Sequence, residues 1–407
     1  MNNPLSPTIL DQNQSPKTRE DLSPEDQAKS DLSRCIGCAH RASSNVDPDR
    51  IDWPLVVREA VDVWLGGLLL EAVERHRWAL PTNCLGLVRE QALRIRHSNR
   101  MMMSALPRIV GTLYPHDVQV VLLKGAALNL TQYDRPDLRP MSDLDLWVHP
   151  EDADRARKAL EHSGYRRGAG LVRDDFFPRF HYEVEYLSND TPPVRLDLHA
   201  QPFRPLRYAQ TVSSQTFWDR SQSIERDGMT VKVLADEEQF IHLATHSACH
   251  GHERLLWLYD MLRLLERAGD AFDWDRVVKQ CGESRLTLPV RHALQAVENH
   301  WGPVCPDGVR THLQSERVDW KDRLCLSQAP RDADQPVAHV AVNLLCTRGL
   351  RFRLGYLAAM LFPNRQHMGS VYARRHPGWL CLAHLRRFAR AIRRIPLLFR
   401  LPRLGIA

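Results

Sequence analysis

The chain has 407 residues, long enough to bury a large core and, at roughly 100 to 200 residues per domain, to form two domains plus tails. Its 43% apolar content is ordinary, and no apolar run approaches the ~20 residues that a membrane-crossing helix needs, which excludes a helical integral membrane protein. The formal charge of +6 hides an asymmetry, because no acidic residue follows Asp334 while 13 arginines do.

The first residues carry neither a basic n-region nor an apolar h-region, so no secretory signal is expected. Nine cysteines, an odd number spread over a long chain, do not suggest a disulfide framework. The expected setting is cytoplasmic, with attachment to a membrane surface as a variant of it.

Residues 1–50 are rich in Pro, Ser, Asp, Asn and Gln, a composition that buries too little to offset its ordering entropy; a disordered extension is expected. It contains Cys35-Ile-Gly-Cys38 followed by His40. With no second pair at zinc-ribbon spacing, an incidental pair is favoured over a metal or redox role. Over 51–114 apolar residues recur at helical spacing, first Val57, Val61, Trp64 and Leu68, then Leu85, Val88, Ala92 and Ile95. Two or three helices therefore lead into the next region.

Residues 115–235 read as strands and helices around a site. The apolar run from Val118 predicts a buried strand that ends at Lys124-Gly125 and passes into a short helix. A glycine there lets the backbone approach a phosphate, and the helix offers its amides to an anion. In 141–148, Leu144, Leu146 and Val148 alternate with Asp143, Asp145 and Trp147, the period of a strand with one buried face. Both carboxylates then project from the same side, where they repel unless a cation, usually a divalent metal, sits between them.

Pro150 and the acids Glu151, Asp152 and Asp154 start a helix that Gly164 stops. Phe180, Tyr182, Val184 and Tyr186 alternate with His181, Glu183 and Glu185. The Asn-Asp-Thr-Pro-Pro turn pairs that strand with a second one, on which Leu196 and Leu198 face one way and Arg195, Asp197 and His199 the other. A third carboxylate arrives on a hairpin.

From Asp236, read as a helix cap with Gln239 three positions on, the pattern is helical through 236–372. His242, His246 and His250 recur at four-residue spacing beside Cys249 and His252. Histidines so spaced can share a metal, but the glutamate of H-E-x-x-H is missing, and packing or lining of a cleft is favoured. In the basic segment 373–407, Leu382, Leu385, Phe388 and Ile392 oppose Arg386, Arg387, Arg390, Arg393 and Arg394. Ordinary packing is the default for such a helix, ahead of an anionic membrane surface or RNA phosphates.

Gly125-Ala126, Asp143-x-Asp145 and Asp197 resemble, in order, the pattern of the DNA polymerase β-like nucleotidyltransferase superfamily. Within it, Leu-Leu-Lys-Gly-Ala-Ala-Leu, Arg139-Pro-Met-Ser-Asp-Leu-Asp, Gly164-Tyr165, Leu-Asp-Leu-His and the His-bearing helix followed by Trp257-Leu-Tyr-Asp260 look like the bacterial "uncharacterised nucleotidyltransferase" proteins. The resemblance implies an α+β fold: a nucleotidyltransferase-like mixed sheet flanked by helices, then a mainly helical domain. It implies metal-dependent transfer of a nucleoside monophosphate from an NTP such as ATP, with two Mg²⁺ or Mn²⁺ ions on Asp143, Asp145 and Asp197. Lys124, Gly125, Ala126, Arg139 and Ser142 would meet the nucleotide phosphates, and His199, His181 and His246 would lie near the acceptor or behind the metal ligands. Ala126 departs from the pattern, since many members carry Ser there. The acceptor and the preferred NTP stay open, though relatives of this kind suggest bacterial biosynthesis. Two rival readings are a nucleotide-binding scaffold on the same fold, and an RNA- or membrane-binding protein acting through its basic C terminus.

Overall fold

The computed structural model describes residues 22–168, 177, 179–226, 228–328, 336–363, 368, 386 and 389. The chain divides into two units, 1–92 and 93–407.

In the first unit, α1 (Pro24–Gly37) begins at Ser23, whose hydroxyl accepts from the Asp26 amide, with Pro24 in the first turn. Ala28, Leu32, Cys35 and Ile36 form its buried face, and the helix packs on α2 (Trp53–Asp62) and α3 (Gly66–His76). This corrects the expectation of disorder across 1–50. The apolar residues of α1 are few but share one face, and averaging over the Pro- and Ser-rich surroundings hides them. Cys35 and Cys38 are both buried, and burial, with help from Asp31 and Cys38, pushes the Cys35 thiol up to about 12. They serve as core side chains, the favoured reading. Gln91 closes the unit, accepting from the Gly66 amide and donating to the Val61 carbonyl, each at 2.7 Å. It lies on α4 (Thr82–Leu113), which continues into the second unit.

The second unit is built on a mixed seven-stranded sheet. Chain order runs β1 (Val120–Leu123), α5 (Lys124–Thr131), β2 (Leu144–Val148), α6 (Ala153–His162), β3 (Arg166–Arg167), β4 (Glu183–Leu187) and β5 (Arg195–His199). The short helices α7 (Leu206–Thr211) and α8 (Ser214–Asp219) then lead to β6 (Gln222–Arg226) and β7 (Met229–Val233). The sheet order is β3-β4-β5-β2-β1-β7-β6. β2 is antiparallel to β1 but parallel to β5, and β4 and β5 form the expected hairpin. On one face Leu144, Leu146, Leu196, Leu198, Val184 and Tyr186 pack with Leu106 and Ile109 of α4 and Ala156 and Leu160 of α6. α6 ends as expected, with Gly164 at φ 88°.

The rest is helical: α9 (Asp236–Cys249), α10 (Leu255–Ala268), α11 (Trp274–Ser284), α12 (Thr287–Trp301), α13 (Asp307–Ser315), α14 (Trp320–Gln328), α15 (Pro336–Cys346) and α16 (Leu350–Leu361). α9 packs against α10, α11 and α12. Ala235, not Asp236, is the residue that caps α9. Asp236 is its first helical residue, where its carboxylate suits the dipole and accepts from the Gln132 amide at 3.3 Å. Buried Arg207 of α7 binds Asp319 and Asp322, fastening the loop after β5 to α14 and its approach. This α+β arrangement, a nucleotidyltransferase-like mixed sheet followed by helices, is the one expected. Among the described residues no helix is long and apolar enough to cross a membrane. The arginine-rich helix expected near 380–395 lies, but for Arg386 and Ala389, outside the described residues.

Candidate active site

The parallel pairing of β2 with β5 places Asp145 directly beside Asp197, and the β4–β5 hairpin places Glu183 opposite His199. Residues in register across a sheet share a face. Since Leu144, Leu146, Leu196 and Leu198 take the core side, Asp145, Asp197, His199 and Glu183 all face away from it.

Asp145, only 2% exposed, is the hub. Its Oδ1 accepts from Lys124 Nζ at 2.7 Å and lies 2.8 Å from His199 Nε2, which is itself 3.5 Å from Glu183 Oε2. Burial opposes ionisation of Asp145, but Lys124 and His199 outweigh it and hold the carboxyl well below the usual range. Burial likewise works against the Lys124 ammonium, and Asp145 and Glu183 more than restore it. Asp197 has no such partner: burial, then Glu183 and Asp145, pushes it up to about 7. Asp143 is raised by burial and by Asp145, and its Oδ2 accepts from the Ser142 hydroxyl at 3.1 Å.

Ligand atoms of Asp145, Glu183 and His199 all lie within 4.8 Å of one another, a donor set that suits a divalent cation. Of these three the sequence named Asp145 as a metal ligand and placed His199 near the acceptor or behind the ligands, it missed Glu183, and its other two ligands, Asp143 and Asp197, are not in this group. The signal for Glu183 was present, because a hairpin partner of the Asp197 strand must put one polar face beside that carboxylate. Its neighbour Glu185 is drawn off by Arg195 at 2.8 Å.

The sequence-predicted phosphate contacts separate into two groups. Lys124 stands in the cluster, at the left-handed φ of 44° that a lysine rarely adopts. Arg139 does not point there. It is buried, with Nε and Nη2 on the two oxygens of Asp260 at 3.0 and 2.9 Å, and Tyr133 donates to the same carboxylate at 2.7 Å. The guanidinium is thus spent on α10, which corrects its reading as a free neutralising cation. Gly125 also has a duty the sequence did not show. A Cβ there would come within 2.8 Å of Arg139 Nη1 and 2.9 Å of Met141 Cγ, so the glycine admits the segment before β2. Ala126 is fully buried. Asn99 of α4 holds that same segment, donating to the Pro136 and Arg139 carbonyls and accepting from the Met141 amide.

A cavity of 160 Å³ opens beside the cluster. Lys124, Glu183, Asp197 and His199 form one side of it, Tyr182, Pro202 and Arg204 come from the flanks of the β4–β5 hairpin, and His246 and His250 come from α9. His242, the third member of the stripe, instead packs edge-on against Phe203 with centroids 5.6 Å apart. Burial, aided by Lys124, brings His242 down to about 3, and burial with Arg204 and Lys124 does the same to His250. Burial and Lys124 carry His246 well below its ordinary value. All three are neutral near pH 7, and among the described residues no metal-ligand group includes them. His181 does not line the cavity; its Nδ1 is engaged with the Glu183 carbonyl.

A mixed sheet presenting strand-borne carboxylates, with a lysine at the start of the helix after β1, defines a nucleotidyltransferase-like protein. The family described as "Uncharacterised nucleotidyltransferase" matches residues 49–302, and the chain belongs to it. Among solved structures, an antigenic nucleotidyltransferase-like protein from Paracoccidioides brasiliensis is similar at 14% identity and a TM-score of 0.35, over 55% of this chain and 96% of that one. Comparison with curated proteins gives no match.

Proposed function

We propose that this chain is a metal-dependent nucleotidyltransferase on a DNA polymerase β-like framework, moving a nucleoside monophosphate from an NTP to a hydroxyl or phosphate acceptor. The observation that carries the reading is the β2–β5 register, which sets Asp145 beside Asp197 on the open face of the sheet with Glu183 and His199 next to them.

The residues fit a divalent cation. Ligand atoms of Asp145, Glu183 and His199 lie within 4.8 Å of one another, and Asp143 and Asp197 are raised by burial and then by the carboxylates beside them. Asp145, Glu183 and His199 would hold the cation, with Asp143 and Asp197, the carboxylates that the resemblance implies, beside them. When bound, Mg²⁺ or Mn²⁺ neutralises phosphoryl oxygens and lowers the pKa of the attacking oxygen.

In the reaction the acceptor oxygen bonds to the α-phosphorus, the bond from that phosphorus to the bridging oxygen breaks, and pyrophosphate leaves with the electron pair. With Arg139 committed to Asp260, Lys124 is the cation left for phosphate, and the amides after Gly125 supplement it. His199 orients Asp145 through its 2.8 Å contact. Ser142, exposed beside Asp143, offers a hydroxyl to the triphosphate.

The test is equilibrium binding of the four ribonucleoside triphosphates, with and without Mg²⁺ or Mn²⁺, to the wild type and to the Asp143→Asn/Asp145→Asn double variant. One triphosphate should bind only with metal, and the variant should lose at least tenfold in affinity. Binding indifferent to both metal and substitution would sink the reading. A chain that binds in this way yet never consumes the nucleotide would be a scaffold.

A further inference from the structure

We infer that the cavity between the β4–β5 hairpin and α9 is the acceptor subsite, and that it takes a small, uncharged polyhydroxyl compound held by His246 and His250. This deepens the nucleotidyltransferase reading and rests on it.

Position comes first. The cavity includes Asp197, Glu183 and His199 and touches the helix start only through Lys124, without Gly125, Ser142 or Asp143, and it extends from there toward α9. A group bound in it would lie between those carboxylates and His246 and His250 of α9.

The wall chemistry selects the ligand class. A neutral imidazole shows one N–H donor and one lone pair, the same complement as a hydroxyl group. The His246 and His250 rings contact each other at 4.6 Å and Trp257 at 4.7 and 5.1 Å. These contacts fix the ring planes and use none of the nitrogens, and among the described residues no hydrogen bond reaches those nitrogens. Both rings are partly exposed and line the cavity, so two neutral donor–acceptor groups are open to a ligand within it.

Charge argues against a phosphorylated acceptor. The cations on the wall are Lys124 and Arg204 and the anions Glu183 and Asp197, so the formal charges cancel. Lys124 is on Asp145 and, in the reading above, is taken by the triphosphate, and Arg204 donates to the Tyr182 hydroxyl at 2.8 Å while its guanidinium lies 5.3 Å from that ring. A dianion would enter with no cation waiting for it. Size argues against a polymer, because 160 Å³ falls below the ~300 Å³ at which drug-sized pockets begin.

The experiment follows the His246 and His250 ring nitrogens by long-range ¹H–¹⁵N NMR while glycerol, myo-inositol and D-glucose are added, with D-glucose 6-phosphate as the charged comparator. At least one polyol should shift both rings, and D-glucose 6-phosphate should bind at least tenfold more weakly than D-glucose. His246→Phe and His250→Phe keep the stacking with Trp257 and remove the nitrogens; each should weaken the polyol at least tenfold while metal-dependent triphosphate binding stays within twofold. The inference is overturned if no polyol moves either ring, if the phosphorylated sugar binds as well as D-glucose, or if the Phe variants bind polyol like the wild type. Triphosphate binding is measured on the same samples. Its failure alongside normal polyol binding would remove the nucleotidyltransferase reading and the acceptor role while leaving a polyol site.

Discussion

The residue that most changes the picture of the site is Arg139. From the sequence it stands three positions before Ser142 and four before Asp143, an apparent phosphate ligand, and only long-range packing reveals that its partner is Asp260, 121 residues away. A buried guanidinium with its carboxylate removed is an uncompensated charge, which typically costs about 3–5 kcal/mol. Asp260→Asn, which also strips the Tyr133 hydroxyl of an ionised acceptor, should lower the stability measured by urea unfolding by about that amount. A loss below about 1 kcal/mol would mean that the pair is not held in the interior. The cluster itself was more legible. Alternation alone placed Asp143 with Asp145 on one side of β2 and Asp197 with His199 on one side of β5, because two-residue periodicity is local, and the pairing of the strands joins the two sets. Glu183 was not placed, because its membership depends on the pairing of two strands.

At the scale of elements, strong local signals survived and weak ones failed. β2, β5 and their acids were legible because apolar and polar residues alternate without interruption, and α6 because a proline and three acids open it and Gly164 closes it. On β4 the reading was half right. Val184 and Tyr186 take the core face, whereas Tyr182 precedes the strand and turns to the cavity. Failure was complete at α1, where composition was allowed to outvote pattern. Leu32, 1% exposed on the face that meets α2 and α3, supplies the check. Leu32→Ala should destabilise the first unit by about 2–5 kcal/mol and open it to limited proteolysis, as deletion of a buried aliphatic side chain does. An unchanged digestion pattern would return 24–37 to the status of an extension.

For the whole molecule, the buried titratable groups set a pH response whose sign depends on which set dominates. His242, His246 and His250 sit below the ordinary imidazole value of 6.5 when folded, so the unfolded chain takes up protons first as pH falls, and stability drains away below about pH 6.5. Asp197 acts in the opposite direction. Raised to about 7, it gains a proton in the folded state first and stabilises as pH falls through that value. Each group contributes at most about 1.4 kcal/mol per pH unit, so three histidines outweigh one carboxyl. The metal-free protein should therefore lose stability between pH 7 and 5.5 by urea unfolding, and His252 and His292, also depressed by burial, add to the loss. Stability that rises over that interval would show the histidines to be hydrated rather than buried. None of this was legible in the sequence, where a four-residue spacing of histidines says which face they share and nothing about what covers it.

The Arg139–Asp260 pair also bears on how the chain can be dissected. A sequence-based boundary at residue 235 leaves every described strand on one side, yet a fragment cut there would keep the guanidinium under Gly125 and discard its counterion. The smallest autonomous piece of the sheet must therefore carry α10 with it, and truncation screens, chimaeras or split-protein designs that treat the two as interchangeable cassettes would begin from a broken interior.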